Sequence, residues 1–185
     1  MALTATVHRL DITLSDVERG VYETLELRMA RHPSESARYF WLRALAYCLS
    51  YEEGIAFSKG GLSNAEDPPI SIHDPTGILI AWIDIGSPSA DRLHRASKAA
   101  QRVALFSATP RNLLEREAAT QRIHKLEEIA VFLLQQSFID ALEPHLGKQL
   151  QLELVRNSGT LYVTLPGAMV EGSIEEIRLS PDNQA

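Results

Sequence analysis

The sequence predicts an α/β protein, in the α+β sense of one mixed central sheet with flanking helices, and three observations carry that expectation. Residues 78–83 form the longest clean apolar run, and the strand read over 78–85 is apolar on both faces of a pleat, the pattern of a central strand covered on both sides. That strand leads through Gly86-Ser87-Pro88 into a helical pattern over residues 89–100 and then into a strand over 102–107. A strand–helix–strand crossover of this kind joins parallel neighbours. Farther on, residues 150–156 and 160–165 alternate around Asn157-Ser158-Gly159, a hairpin signal and therefore an antiparallel pair.

The elements follow in order. Residues 3–14 are rich in Thr, Val and Ile and read as extended, with a change of phase around His8 to Leu10 that suits a bend or bulge. Ser15-Asp16-Val17-Glu18 has the form of a capping box, with Val17, Val21 and Leu25 on one side of a helix running to Met29. Pro33-Ser34 ends that helix and opens another, in which Leu42, Leu45, Ala46 and Leu49 recur at helical spacing before a stop near Gly54. Residues 55–59 and 70–73 are short strands around turns at Gly60-Gly61 and Asp67-Pro68-Pro69. After the central crossover, Thr109-Pro110 opens a helix to Leu126, residues 129–133 form a strand, and 138–146 form a helix ended by Gly147. A last strand over 174–179 precedes a polar tail. From Ser34 the order is helix, strand, strand, strand, helix, strand.

No repeat, low-complexity tract or linker divides the 185 residues, so residues 1–185 are expected to form one domain. A hydrophobic content of 45% and a charged content of 23% exclude the disordered class. Cys48 is the sole cysteine, which excludes an internal disulfide framework and fits a reducing compartment. The first sixteen residues show no basic-then-apolar leader, and no apolar run is long enough to span a bilayer. A cytoplasmic protein without a membrane partner is the expectation.

The net charge of −6 hides an asymmetry. Residues 89–125 hold eight basic and three acidic residues, whereas the rest of the chain holds ten and twenty-one. A local anion site on an acidic body is compatible with that distribution; broad binding along a duplex, which needs many phosphate contacts, is not.

Phosphate-loop, dinucleotide-turn, nucleophile-elbow and paired-cysteine signatures do not occur, and the six histidines lack zinc-ligand spacing. Cys48 lies beside an apolar helix face and reads as a small buried hydrophobe. Asp84 stands near the C-terminal end of the most apolar strand, where a carboxylate must be hydrogen-bonded, paired or metal-bound. The end of such a strand, beside a helix N-terminus, is also where open α/β folds place ligands. Capping the following turn is its structural alternative. Glu35, read as part of the helix, shares a face with Tyr39, Leu42, Ala46 and Leu49 and so points inward; a dipole partner at the helix start is the alternative. On the helix from Ser89, Leu93, Ala96 and Ala100 share one face while Arg92, Arg95, Lys98 and Arg102 lie on the other, a stripe that either neutralises phosphate or is simply solvated. Glu66-Asp67-Pro68 adds turn carboxylates.

Along its whole length the chain resembles the YaeQ family of bacterial proteins. The resemblance rests on the ordered blocks Ala30-Arg31-His32-Pro33-Ser34-Glu35, Gly61-Leu62-Ser63 with Glu66-Asp67-Pro68, Trp82-Ile83-Asp84-Ile85-Gly86-Ser87-Pro88, Arg92-Leu93-His94-Arg95-Ala96-Ser97 and Val103-Ala104-Leu105-Phe106. It implies a variant of the restriction-endonuclease-like fold of the PD-(D/E)xK nucleases, with a core over about residues 34–108 whose element order matches the one read above. In that superfamily a helix glutamate, a strand aspartate and an acid with a nearby lysine bind Mg²⁺ and polarise water. By position these become Glu35, Asp67 and Asp84, as metal ligands and catalytic residues. Gly86 stands where the lysine is expected, which leaves Lys98 or Arg95 to supply the cation, while Arg92 and Arg95 would bind phosphate. Two functions follow as expectations: a divergent Mg²⁺-dependent phosphodiesterase acting on nucleic acid, or a catalytically degenerate nuclease fold that binds or regulates. A cleft for a small molecule or protein, unrelated to either, is a third.

Overall fold

The computed structural model describes residues 4–59 and 65–180. The Gly60-Gly61 turn, the Gly61-Leu62-Ser63 block and the end of the polar tail lie outside the described residues.

The chain opens with a long hairpin, β1 (Thr6–Asp16) and β2 (Val21–Arg31), followed by α1 (Ala37–Leu49). Three strands come next, β3 (Ile55–Phe57), β4 (Ile70–His73) and β5 (Leu79–Ile85), then α2 (Ala90–Ala99), β6 (Arg102–Ser107) and α3 (Arg111–Ala118). The remainder is β7 (Ala130–Leu134), α4 (Gln136–Leu142), β8 (Gln149–Asn157), β9 (Thr160–Leu165) and β10 (Ala168–Ile177). The described strands form one sheet in the order β2-β1-β8-β9-β10-β7-β6-β5-β4-β3. Pairing is parallel for β1 with β8, β5 with β6 and β6 with β7, and antiparallel elsewhere, so the sheet is mixed and mostly antiparallel. No helix among the described residues is long and apolar enough to cross a membrane.

The hairpin replaces the helix expected over residues 15–29. From Val21 onward the buried positions are Leu25, Leu27 and Met29, a period of two that three residues at helical spacing had masked. The Ser15-to-Glu18 stretch is used in a turn instead: Asp16 Oδ1 accepts from the Arg19 amide, Gly20 sits at φ +66°, and Glu18 Oε1 accepts from the Gly159 amide at 2.7 Å. The expected phase change near His8 is absent as well. β1 pairs with β2 without a slip, and its inward positions are His8, Leu10, Ile12, Leu14 and Asp16, two of them polar. His8 stays on that face because its Nδ1 bonds the Gly147 carbonyl at 2.8 Å.

α1 begins two residues after Glu35, with Ser36 as N-cap accepting from the Tyr39 amide. It is buried on nearly every side, from Phe40 through Leu49, as a helix enclosed by its own sheet must be. α1 and α4 share one apolar core with β1, β2, β8 and β9, and that core continues under Ile83, Ile85 and Phe106. A second core on the other face joins Trp82, Leu93, Val103, Leu105, Leu114 and Val131. β5 and β6 are therefore covered on both faces, which is why their sequences are apolar throughout.

Both helices expected to run long are cut short. α3 stops at Ala118, where Thr120 Oγ1 donates to the Glu117 carbonyl, and α4 stops at Leu142 ahead of a 3-10 turn containing Pro144. The Asn157-Ser158-Gly159 turn forms as read, with φ +51° at Ser158 and +74° at Gly159, the two left-handed residues of a tight hairpin. β10 extends well upstream of the strand read from Ile174. Its first part pairs with β9 and its second with β7, and at the changeover Gly172 lies under Phe138 of α4, 2.3 Å from where a β-carbon would stand. Gly172→Ala should therefore destabilise by about 1–3 kcal/mol, the usual range for overpacking, and a denaturation midpoint equal to that of the parent would refute this.

Candidate functional site

β5 carries Asp84 to its C-terminal end on the same face as Trp82, looking toward α2. The carboxylate is 2% exposed and fully engaged. Its Oδ1 accepts from the Ile85 amide at 3.0 Å, and its Oδ2 accepts from Trp82 Nε1 at 3.1 Å and Arg92 Nε at 2.6 Å. Arg92 reaches back from the first turn of α2, lies 5.4 Å from the Trp82 ring centre, and donates its Nη1 to the Ala65 carbonyl and its Nη2 to the Asp67 carbonyl at 3.0 Å. One guanidinium thus ties the 65–67 segment to the end of the central strand.

Glu35 faces inward as read, but from the residue before the N-cap rather than from the helix itself. It is 3% exposed and forms a fork with Arg43, whose Nε donates to Oε1 at 3.0 Å and whose Nη2 donates to Oε2 at 3.1 Å and to the Ala30 carbonyl at 2.8 Å. Burial pushes the Glu35 carboxyl above its ordinary 4.5, with Arg43 working against that rise. An acid raised in the folded state loses its proton first in the unfolded chain, so its contribution to stability falls as pH rises from 4.5 through the raised value. Glu35→Gln should flatten that decline in a series of melts across mildly acidic pH; an unchanged slope would contradict it.

Between these two ion pairs lies a cleft of about 430 Å³, lined by Tyr39, Arg43, Asp67, Asp84, Ser87 and Arg92, among others. Gly86, at φ +82°, turns the chain at its floor and donates its amide to the Phe106 carbonyl. The Tyr39 phenol is pushed up to about 12, first by burial and then by the negative charge of Asp84. Asp67 and Asp84 share the cleft, as does Arg92, whereas Glu35 is not part of its lining. Arg95 turns instead to Glu66 at 2.6 Å and Asp91 at 3.1 Å, and Lys98 is exposed on α2 away from the cleft. Cys48 is wholly buried, and its thiol is pushed up to about 12.

The expected Mg²⁺ triad is not assembled as a ligand set. Among the described residues no three His, Cys, Asp or Glu side chains come together to hold a metal. The donor chemistry gives the reason: two of the three acids already face guanidinium groups, and a divalent cation would have to displace them. As arranged, these residues do not fit the ion.

Arg43 is the site residue that sequence reading missed. It is the sole charged residue between Tyr39 and Leu49. A cation inside an apolar helical run needs a partner, and Glu35, eight residues earlier, is the acid nearest in sequence on that side of the chain. That signal was available.

A family model described as YaeQ protein matches residues 1–173. Curated proteins described as "Uncharacterized protein YaeQ" from Escherichia coli (strain K12) and Salmonella typhi are 33% and 35% identical to the chain over 111 and 112 residues. Those stretches cover 60% of this chain and 61% of each relative. The crystal structure of YaeQ protein from Pseudomonas syringae superposes with a TM-score of 0.83 at 26% identity, covering 96% of this chain and 98% of that one. The structure of YaeQ protein from Xanthomonas axonopodis pv. citri gives 0.81 at 24% identity, covering 96% and 100%, a likeness of fold.

Proposed function

The chain belongs to the YaeQ family, and from that premise we propose that it is a catalytically degenerate variant of the restriction-endonuclease-like fold whose cleft binds nucleic acid without cutting it. One observation carries the reading: each buried acid of the expected metal set is closed by an arginine of its own chain, Glu35 by Arg43 and Asp84 by Arg92. Both arginines also hold backbone carbonyls, so these pairs act as staples. Arg43 and Ser87 both line the cleft, and with Arg43 Nε and Nη2 already used its Nη1 is left as the donor for a phosphate oxygen.

Fluorescence anisotropy with labelled single- and double-stranded DNA and RNA, across a salt series and with or without Mg²⁺, tests the proposal. The expected result is binding that weakens as salt rises, needs no metal and yields no shortened product. Ser87→Ala, at an exposed residue of the cleft lining, should weaken it while the melt stays that of the parent. Mg²⁺-dependent cleavage, or no binding to any of the four, would overturn it.

A second reading, the Mg²⁺-dependent phosphodiesterase, is favoured by Asp67 and Asp84 lining one cleft. It requires Arg92 to release Asp84. In that case Mg²⁺ raises the melting point of the parent and not of Asp84→Asn, since a ligand of the native state stabilises it.

A further inference from the structure

The two ends of the sheet are unlike. β3, at one end, has three residues, whereas β2, at the other, has eleven, and among the described residues no strand lies beyond it. Proteins blunt open edges with shortness, proline, a bulge or charge, because an open edge is a template for another strand. β2 is long, contains no proline, and pairs with β1 from Val21 to Arg31 without a slip. Charge alone is left to guard it.

Parity fixes which backbone groups face that edge. The Arg9 amide donates to the Lys148 carbonyl and the Val17 amide to the Arg156 carbonyl, so odd residues of β1 bond β8 and even ones bond β2. Asp16 stands opposite Val21, which makes the odd residues of β2 the ones that bond β1. Tyr22, Thr24, Glu26, Arg28 and Ala30 therefore aim their N–H and C=O groups away from the sheet. Ala30 agrees, since its carbonyl accepts from Arg43 at 2.8 Å. Among the described residues nothing bonds the outward main-chain groups of Tyr22, Thr24, Glu26 or Arg28.

The charges on β2 are balanced and mirrored: Glu23 and Glu26 precede Leu27, and Arg28 and Arg31 follow it at the same spacings. When two copies pair antiparallel about a two-fold axis, the axis passes by a residue, so that each side chain keeps to its own face of the sheet. With the axis at Leu27, Glu26 stands opposite Arg28 of the second copy and Glu23 opposite its Arg31, and symmetry repeats both pairs. With the axis at Glu26 or Arg28 that residue meets its own like charge, and at Leu25 or Met29 no acid of β2 meets a base of β2. The side chains are available. Glu26 is 66% exposed, with Arg9 Nη2 at 3.6 Å, and Arg31 spends its Nε on the Glu35 carbonyl and keeps its outer nitrogens. Glu23 and Arg28 are exposed and have no side-chain partner among the described residues.

We infer that β2 is a self-association edge, joining two copies of this chain antiparallel about Leu27 into one continuous sheet. In that register Thr24 with Ala30 and Glu26 with Arg28 are reciprocally bonded pairs, about eight main-chain hydrogen bonds in all. The Ala30 carbonyl has a second lone pair for its new donor. The cleft beside Asp84 belongs to β5, at the far end of the strand order, so the inference does not depend on what that cleft binds.

Sedimentation of the full chain from micromolar to near-millimolar concentration should show a monomer–dimer equilibrium that weakens as salt rises. Hydrogen exchange at the amides of Thr24, Glu26, Arg28 and Ala30 should slow as the dimer fills. Arg28→Glu, at an exposed position, turns both Glu26–Arg28 pairs repulsive and should weaken association by about tenfold while leaving the melt of the dilute protein unchanged. Glu26→Arg should weaken association likewise. An equimolar mixture of these two single variants should associate again, because their heterodimer restores acid opposite base in both pairs. Three results overturn the inference: a parent that stays monomeric throughout, which leaves the edge to a strand of another protein; an Arg28→Glu variant that dimerises as the parent does, which puts the contact on another surface; or a mixture that stays apart, which rules out the register about Leu27.

Discussion

Arg43→Met should cost about 3–5 kcal/mol of stability at neutral pH, the range for removing one partner of a buried ion pair. The side chain keeps most of its apolar length, so the loss falls on two orphaned acceptors, the Glu35 carboxylate and the Ala30 carbonyl. Glu35 can escape by taking up a proton. The deficit should therefore shrink in acid, and equilibrium denaturation at pH 5 and pH 8 reads it directly. Adding Glu35→Gln to Arg43→Met should recover part of the loss, because no charge is then left buried. A cost under about 1 kcal/mol, the size of a surface pair, would mean that the fork is not the internal support described above.

Asp84→Asn should also destabilise, by about 3 kcal/mol, at the lower edge of the same range. The carboxylate receives three donors, and an amide cannot: in either orientation its own NH₂ faces a donor from Arg92 and Trp82 or from the Ile85 amide. Loss of this anchor should loosen the 65–67 segment held through Arg92, seen as faster proteolysis there before global unfolding. A variant more stable than the parent would point the other way, to an acid kept at a cost for chemistry, and would strengthen the metal-dependent reading.

Much of the architecture was open to inspection in the amino acids, and the reasons are local. Residues 79–85, Asp84 apart, are apolar on both pleat faces because two cores cover β5, and the parallel crossover to β6 follows from the helix between them. The β1–β2 hairpin was illegible because its turn borrows the residues of a helix cap, and because His8 and Asp16 occupy inward positions. What makes them inward is a distant carbonyl, Gly147, and a distant cation, Arg156, neither of which periodicity can see. In the cleft Asp84 and Arg92 were singled out from the strand end and the helix that follows, and Asp67 from the family resemblance. Their use was not: the basic stripe divides, Arg92 turning inward to Asp84 while Arg95 pairs with Glu66.

The divided strand β10 bears on how the protein is made. Emerging from the ribosome, the chain can assemble β3 to β7 around α1 and α2, while β1 and β2 must wait for β8, which begins at Gln149, to give them a neighbour. Even then no strand pairing joins the two halves of the sheet until residues 168–177 arrive and pair with β9 on one side and β7 on the other. Closure thus belongs to the last of the described strands, while the pairing that spans most of the sequence is β1 with β8, Arg9 opposite Gln149, the kind of contact that slows folding. Until that strand is released, the outer edges of β7 and β9 are exposed templates for another copy, so aggregation of nascent or C-terminally shortened chains is the hazard this topology carries.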